Sequence, residues 1–231
     1  MSAALLRDPP PPKTREELLD RAQALSGLTV GQLAARLRTS LDGGPLRTKG
    51  RIGELVERAL GASAGNLDQP DFPQLGIELK TIPMDELGRV RESTFVSTID
   101  LQALPNTEWA SSRVRRKLAR VLWVPVQAAG ELALGQRQIG RAHLWEMTDE
   151  EEALLKADWQ QLAGRIAVGG IEEISAHLGE ALQIRPKAAN ASVQVEVHGP
   201  EGEFLKTGPR GFYLRARFTE SLLWRLSDES G

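Results

Sequence analysis

Asp71, Glu78 and Lys80 are the residues here whose types and spacing could do chemistry together. Side chains of an extended strand alternate faces. Across Leu75-Gly76-Ile77-Glu78-Leu79-Lys80-Thr81, Glu78 and Lys80 therefore share one side, while Ile77, Leu79 and Thr81 turn towards a core. Pro70 and Pro73 break sheet pairing and favour a turn, which can bring Asp71 back beside Glu78. Two carboxylates held close repel unless a cation sits between them. Hard oxygen donors that leave open positions suit Mg²⁺. A lysine beside them can stabilise a hydroxide formed from water. These are the parts of a metal-assisted phosphodiester hydrolysis. The same pattern also fits the solvated face of an edge strand, so the remaining chain has to decide.

Composition narrows the setting. The chain has 231 residues, 41% hydrophobic and 26% charged, which suits one large domain or two lobes sharing a core. There is no cysteine, and the three histidines (His143, His177, His198) are scattered, so Cys-based zinc and disulfides are excluded and a His-rich metal site is not expected. No stretch is long and apolar enough to span a membrane, and no signal-peptide core opens the chain; a cytoplasmic protein is expected. The net charge of -2 does not announce nucleic acid, but its distribution does more. Between Trp109 and Gly130 there is no acid, yet Arg113, Arg115, Arg116, Lys117 and Arg120 are present. Lys206, Arg210, Arg215 and Arg217 form a second acid-free run. Such segregation can build a basic groove on a nearly neutral protein.

The elements that must position these residues follow in order. Pro9 to Pro12 favour a loose polyproline start over residues 1–13. Thr14 with Glu17, and Thr29 with Gln32, open two helices with capping boxes. Asp42-Gly43-Gly44-Pro45 reads as a loop. Arg51 to Leu60 reads as a helix with Ile52, Leu55, Val56, Ala59 and Leu60 on one face, stopped by Gly61. At about 100° per residue, Glu57 falls on the edge of that stripe, beside Leu60, where it can enter a pocket. Strands are expected over Ser93–Ile99, Val121–Val126, Gln138–Trp145 and Leu182–Arg185, followed by a polar loop over Lys187–Asn190. Ser111 or Ser112 caps a short basic helix, and Thr148 with Glu151 caps a long one ended by Gly169-Gly170. Phe204–Lys206 and Phe212–Arg215 look like a hairpin, and Thr219 or Ser221 begins a final helix. Alternating strands and helices argue for an α/β core.

Five blocks carry a resemblance. They are Leu60-Gly-Ala-Ser-Ala-Gly65, Leu75-Gly-Ile-Glu-Leu-Lys-Thr-Ile-Pro83, Arg116-Lys-Leu-Ala-Arg-Val-Leu-Trp123, Gln183-Ile-Arg-Pro-Lys-Ala-Ala-Asn190 and Pro209-Arg-Gly-Phe-Tyr-Leu214. In that order they resemble the MutH family of mismatch-repair endonucleases, within the PD-(D/E)xK restriction-endonuclease superfamily. The likeness runs from about Thr14 to Leu223. It implies a restriction-endonuclease-like α/β fold, a mixed sheet flanked by helices, in two lobes around a DNA-binding cleft. A single nuclease domain over 14–226 is expected, with flexible ends at 1–13 and 227–231. The resemblance further implies a nick in the unmethylated strand of hemimethylated GATC, 5′ to the G. It implies Mg²⁺, for which Mn²⁺ can substitute, and a MutL-like activator working after a MutS-like mismatch sensor. A monomer is expected. By the same resemblance, Asp71, Glu78 and the Leu79 carbonyl hold metal, with Glu57 completing its environment. Lys80 orients or stabilises the attacking hydroxide, and Lys117 stands near the scissile phosphate. Lys49 and Gly50 enter the minor groove, and Arg185, Pro186 and Tyr213 read the bases.

Three other readings compete. One is a restriction-type enzyme of the same fold that cuts both GATC strands. Another is a DNA-binding module without catalysis, against which the intact Asp71, Glu78 and Lys80 argue. The third is a serine hydrolase built on Gly61-Ala62-Ser63-Ala64-Gly65, which matches Gly-x-Ser-x-Gly but needs a strand before it and a helix after it.

Overall fold

The repeated capping and apolar patterns do become helices and strands in a computed structural model of the chain, a mixed α/β protein. The structure describes residues 8–41, 48–65, 68–128, 132–174, 177–187, 194–199 and 203–229. Backbone packing divides the chain into two units. The first takes residues up to Arg91, Ala119–Glu146 and the chain from Leu223; the second takes Glu92–Leu118 and Met147–Leu222. The expected loop at Asp42–Pro45 and the Ala188–Asn190 part of the polar loop lie outside the described residues.

In the first unit, helices α1 (Arg15–Gln23), α2 (Val30–Arg36) and α3 (Thr48–Leu60) pack beside a three-stranded sheet. The sheet runs β1 (Glu78–Met84), β3 (Arg120–Gln127), β4 (His143–Glu146), with β1 parallel and β4 antiparallel to β3. Thr14 accepts the Glu17 N–H, and Thr29 forms a complete capping box with Gln32. The Glu17 carboxylate reaches back one residue further than expected, to the Lys13 N–H at 2.8 Å. Leu18, Leu25, Leu33, Val56, Leu60, Ile77, Leu79, Leu122 and Val124 form one core between helices and sheet. Val121 and Trp123, on the opposite face of β3, are buried too. Strands with a parallel partner are covered on both faces.

Two expectations for this unit change. Residues 8–13 are not a loose tail: Asp8 pairs with Arg58 at 2.6 Å, Arg21 donates to the Pro10 carbonyl at 2.7 Å, and Pro12 is buried. Proline lacks an N–H but keeps its carbonyl, and Arg21 uses it. Gly61 completes the strap. It ends α3 at φ 81°, and a Cβ there would stand 2.6 Å from the Pro10 oxygen. The strand expected over Gln138–Trp145 breaks into bridges at Gln138 and Ile139 and the short β4, with Gly140 packed against Pro125 between them.

In the second unit, β2 (Thr94–Thr98), β8 (Arg210–Leu214) and β5 (Leu182–Pro186) form an antiparallel sheet with β8 central. Helices α4 (Arg113–Leu118) and α5 (Asp149–Ala167) belong to this unit. Ser112 caps α4 by accepting the Arg115 N–H at 3.1 Å, and Thr148 with Glu151 caps α5. The hairpin expected around Pro209–Gly211 does not form. β7 (Phe204–Thr207) pairs instead with β6 (Val195–His198), while β8 fills the slot between β2 and β5. There Phe212 and Leu214 are buried on one face and both edges of β8 find partners. The last helix, α6 (Ala216–Asp228), starts earlier than expected. Thr219 does not cap it; its hydroxyl bonds back to the Arg215 carbonyl at 3.3 Å, a bond that lets a helix continue through threonine.

Candidate active site

The site is built along β1, which is an edge of its sheet. Phe72 and Ile77 exchange backbone hydrogen bonds of 2.9 and 3.3 Å across a tight turn. That turn folds Asp71 back onto β1, where its Oδ2 accepts the Leu79 N–H at 2.8 Å. A residue in an extended strand points its N–H and C=O to the same edge, so the Leu79 carbonyl shares the edge that Asp71 occupies. The Asp71 backbone is fixed as well: its carbonyl accepts from Ser63 and Ala64 at 3.1 and 3.4 Å. The Gly61–Gly65 run therefore supports Asp71. Helix α3 precedes this run, and the Phe72 turn follows it, so the strand-then-helix setting a serine nucleophile needs is missing.

Glu78 and Lys80 share a face of β1, as alternation predicts, and form an ion pair at 2.5 Å. Alternation alone would leave Glu78 at the surface, yet it is only 2% exposed. The reason is the parallel neighbour β3, which sets Val121 and Trp123 opposite Glu78 and Lys80. Glu57 comes from α3, which packs on β1. A side chain at Gly53 would stand 3.7 Å from Glu57 Oε1 and 3.8 Å from Thr81 Oγ1, so the carboxylate lies on the side of α3 turned to β1. Burial pushes the Glu57 carboxyl above the usual range, Asp71 pushes it further, Lys80 opposes, and Glu54 and Glu78 add to the rise.

Three carboxylates thus feel one another with a single lysine among them. Such a group is short of positive charge, and its donors are all hard oxygens, which fits a divalent cation of the Mg²⁺ type. Among the described residues, no three histidine, aspartate or glutamate side chains are gathered into a ready cage. Mg²⁺ does not require one, since it keeps several waters and takes one or two carboxylates. Asp71 and Glu78, with the Leu79 carbonyl on the same edge, are the donors that could hold it. Lys49 and Gly50 lie in the first turn of α3, in the same unit.

The second unit carries Lys117, Arg185, Pro186 and Tyr213. Lys117 is half-buried on α4. That helix is tied to α5 through Glu152, whose Oε1 accepts from Arg115 at 2.6 Å and Trp109 at 2.9 Å. These bonds, Arg115 first, lower the Glu152 carboxyl. Tyr213 and Arg185 stand on the face of the β2–β8–β5 sheet opposite buried Phe212, Leu214, Leu182 and Ile184. Burial raises the Tyr213 phenol and nearby Arg185 opposes the rise. The same face holds residues that sequence reading missed. Phe95 meets Tyr213 edge-on at 5.3 Å, and Lys187 lies 5.3 Å over the Phe95 ring. Ser93 Oγ accepts from Gln183 at 2.7 Å and Arg185 at 3.0 Å. Alternation along Ser93–Phe95 and Gln183–Lys187 was the signal that could have found them; it fails past Phe95, where a bulge sets Ser97 opposite buried Phe212.

An acidic edge able to hold a cation beside a half-buried lysine, and a cationic aromatic strand face, describe a class of protein that hydrolyses phosphodiesters in nucleic acid. Comparison with known proteins agrees with that class. A family described as the DNA mismatch repair enzyme MutH matches residues 60–158. The DNA mismatch repair protein MutH of Serratia proteamaculans is 48% identical over 217 residues, covering 94% of this chain and 95% of that protein. That of Escherichia coli K12 is 49% identical over 215 residues, covering 93% and 94%. The chain belongs to the MutH family of DNA mismatch repair enzymes.

Proposed function

We propose that this member of a mismatch-repair endonuclease family nicks the unmethylated strand of hemimethylated GATC sites, 5′ to the G, in a Mg²⁺-dependent reaction. The observation that carries the reading is Asp71 folded onto the Leu79 amide beside the Glu78–Lys80 pair. When bound, Mg²⁺ polarises a phosphoryl oxygen and acidifies water; Mn²⁺ would serve the same donors. Asp71 and Glu78 hold the cation, with the Leu79 carbonyl. The Lys80 ammonium, fixed by Glu78, hydrogen-bonds the attacking water and favours its deprotonated form. Glu57 anchors the Lys80 side of the site by its charge. Lys117 neutralises a phosphate oxygen as negative charge grows in the transition state. Lys49 and Gly50 lie in the minor groove. Arg185, Pro186 and Tyr213 touch base edges in the major groove, where adenine N6 and guanine O6 and N7 are distinguishable.

The protein works as a monomer in the cytoplasm, switched on by a MutL-like partner after a MutS-like sensor has met a mismatch. No helix among the described residues is long and apolar enough to cross a membrane. The test is a hemimethylated GATC duplex labelled on each strand, incubated with protein and Mg²⁺, followed by end mapping. A single nick 5′ to the unmethylated G is expected. Cuts in both strands would point to a restriction-type enzyme, and binding without cleavage to a DNA-binding module.

A further inference from the structure

Asp158 is a buried charge that none of the chemistry above uses. It lies on the apolar stripe of α5, between Leu155 and Leu162 and next to Trp159, and is only 6% exposed. A carboxylate in such a place persists only when its oxygens are filled with hydrogen bonds. They are: three successive backbone N–H groups point at it. Glu180 donates at 2.9 Å, Ala181 at 2.6 Å and Leu182 at 2.8 Å. Leu182 is the first residue of β5.

The other side of the same short loop is held by a cation. Arg215, the residue after β8, donates from Nε to the Gly179 carbonyl at 2.9 Å and from a terminal nitrogen to the Leu178 carbonyl at 3.1 Å. Its own N–H donates to the Ala181 carbonyl at 2.8 Å. The loop's donors thus face Asp158, while its Leu178, Gly179 and Ala181 carbonyls face Arg215 and that of Glu180 accepts from Arg217 at 3.3 Å. Gly179 makes the bend possible. Its φ is 84°, and a Cβ there would stand 2.0 Å from the Leu182 oxygen and 3.4 Å from the Asp158 carboxyl carbon.

This clamp sits where β5 begins and β8 ends. Those strands pair Gln183 with Tyr213 and Arg185 with Gly211. Arg185 is three residues beyond the clamped Leu182, and Tyr213 two residues before Arg215. A slip of one residue in a strand turns every side chain to the other face, so the clamp decides whether Arg185 and Tyr213 stand outward together. We infer that Asp158 is a positioning residue for base reading: with Arg215 it fixes the start of β5, and through it the placement of Arg185 against Tyr213. The inference rests on the proposal that Arg185 and Tyr213 read the DNA.

The experiment uses the full chain and Asp158→Asn, whose amide would turn a donor towards donors. Tyr213 is the only tyrosine, so fluorotyrosine labelling gives one fluorine resonance that reports its surroundings without any activity. Cleavage of GATC is measured against a duplex with one changed base pair, with Arg185→Ala as reference. The expected result is a moved or broadened Tyr213 resonance and a loss of base discrimination of roughly tenfold, the scale of one good base contact. Arg215→Lys, which keeps the charge but not the fork, should show the same pair of effects if Asp158→Asn fails to fold. An unmoved resonance with unchanged discrimination, where Arg185→Ala does lose it, would overturn the inference and leave Asp158 a purely structural residue. Unchanged discrimination in Arg185→Ala would overturn it by another route, by removing the base reading on which it rests.

Discussion

Replacing Lys80 with alanine separates two things the site does. Glu78 is 2% exposed and its ammonium partner 16% exposed, at 2.5 Å. Taking away one member of a buried ion pair costs about 3–5 kcal/mol, because the remaining charge keeps its desolvation without its partner. The Lys80 end is not fully buried and water can follow into its place, so the low end, about 3 kcal/mol, is the better figure. In a chain of this size each kcal/mol moves Tm by roughly 2–4 °C. Lys80→Ala should therefore unfold roughly 6–12 °C below wild type in the absence of divalent metal. Removing both charges, in Lys80→Ala with Glu78→Ala, should recover most of that loss, giving a coupling of about 2 kcal/mol in a double-mutant cycle. Lys80→Ala, Glu78→Ala and the double variant should all fail to cleave DNA. Thermal unfolding in chelator, followed by two probes because the chain has two units, reads the stabilities. A Lys80→Ala protein melting within a degree or two of wild type would refute the buried pair. Wild-type cleavage in any of the variants would refute the site.

Glu57→Gln should leave stability unchanged in acid and raise it at neutral pH. A raised carboxyl pKa means the folded state disfavours the charged form, so stability is complete below the unfolded value of about 4.3 and falls as pH rises through the folded one. Tm against pH checks the sign, and saturating Mg²⁺ should shrink the advantage. Tyr213→Ser should still nick unmethylated GATC but narrow the preference over methylated sites by about 1–3 kcal/mol; side-by-side cleavage of unmethylated, hemimethylated and fully methylated duplexes decides it. DNA binding by the isolated protein should be weak and fall steeply with salt through counterion release, and affinity that stays flat between low and physiological salt would contradict it.

The juxtaposition of Asp71, Glu78 and Lys80 was legible because it is local. Asp71, the turn and the Glu78–Lys80 alternation all lie within ten residues of one another, and period-two alternation depends on no distant partner. What alternation could not tell is that Glu78 would be buried, since that needs β3, which joins from some forty residues later. The β7–β8 error has the same root. Gly208-Pro209 has the composition of a hairpin turn, but the choice between pairing with β7 and lying between β2 and β5 is made by long-range packing of Phe212 and Leu214. Thr219 misled because threonine serves both as a cap and as a back-bonded helix residue, and only the chain before it distinguishes the two. The Asp158 clamp was invisible because its partners are backbone groups, which carry no residue signature.

The charge balance of the site makes one further demand. Glu57, Asp71 and Glu78 set three carboxylates against the one positive charge of Lys80; burial is the first cause of the rise in the Glu57 carboxyl, and Asp71 adds to it. A phosphodiester brings another negative charge to the same edge of β1. Without a cation, the acidic group proposed to do the chemistry would repel the substrate, and basic residues elsewhere in the chain would have to work against it. A divalent cation reverses the sign of that interaction. Metal and DNA must then favour each other's binding, by the same factor in either direction. Loss of an acidic side chain, as in Asp71→Ala, should act on both sides of that linkage: metal binding should weaken and, in the absence of metal, DNA should bind more tightly, which titration of labelled duplex in chelator checks. On the proposed function, the surplus of negative charge that should make the isolated protein a poor DNA binder is also what would make its cleavage depend on metal, and a partner that raises its effective concentration at DNA would overcome the first without disturbing the second.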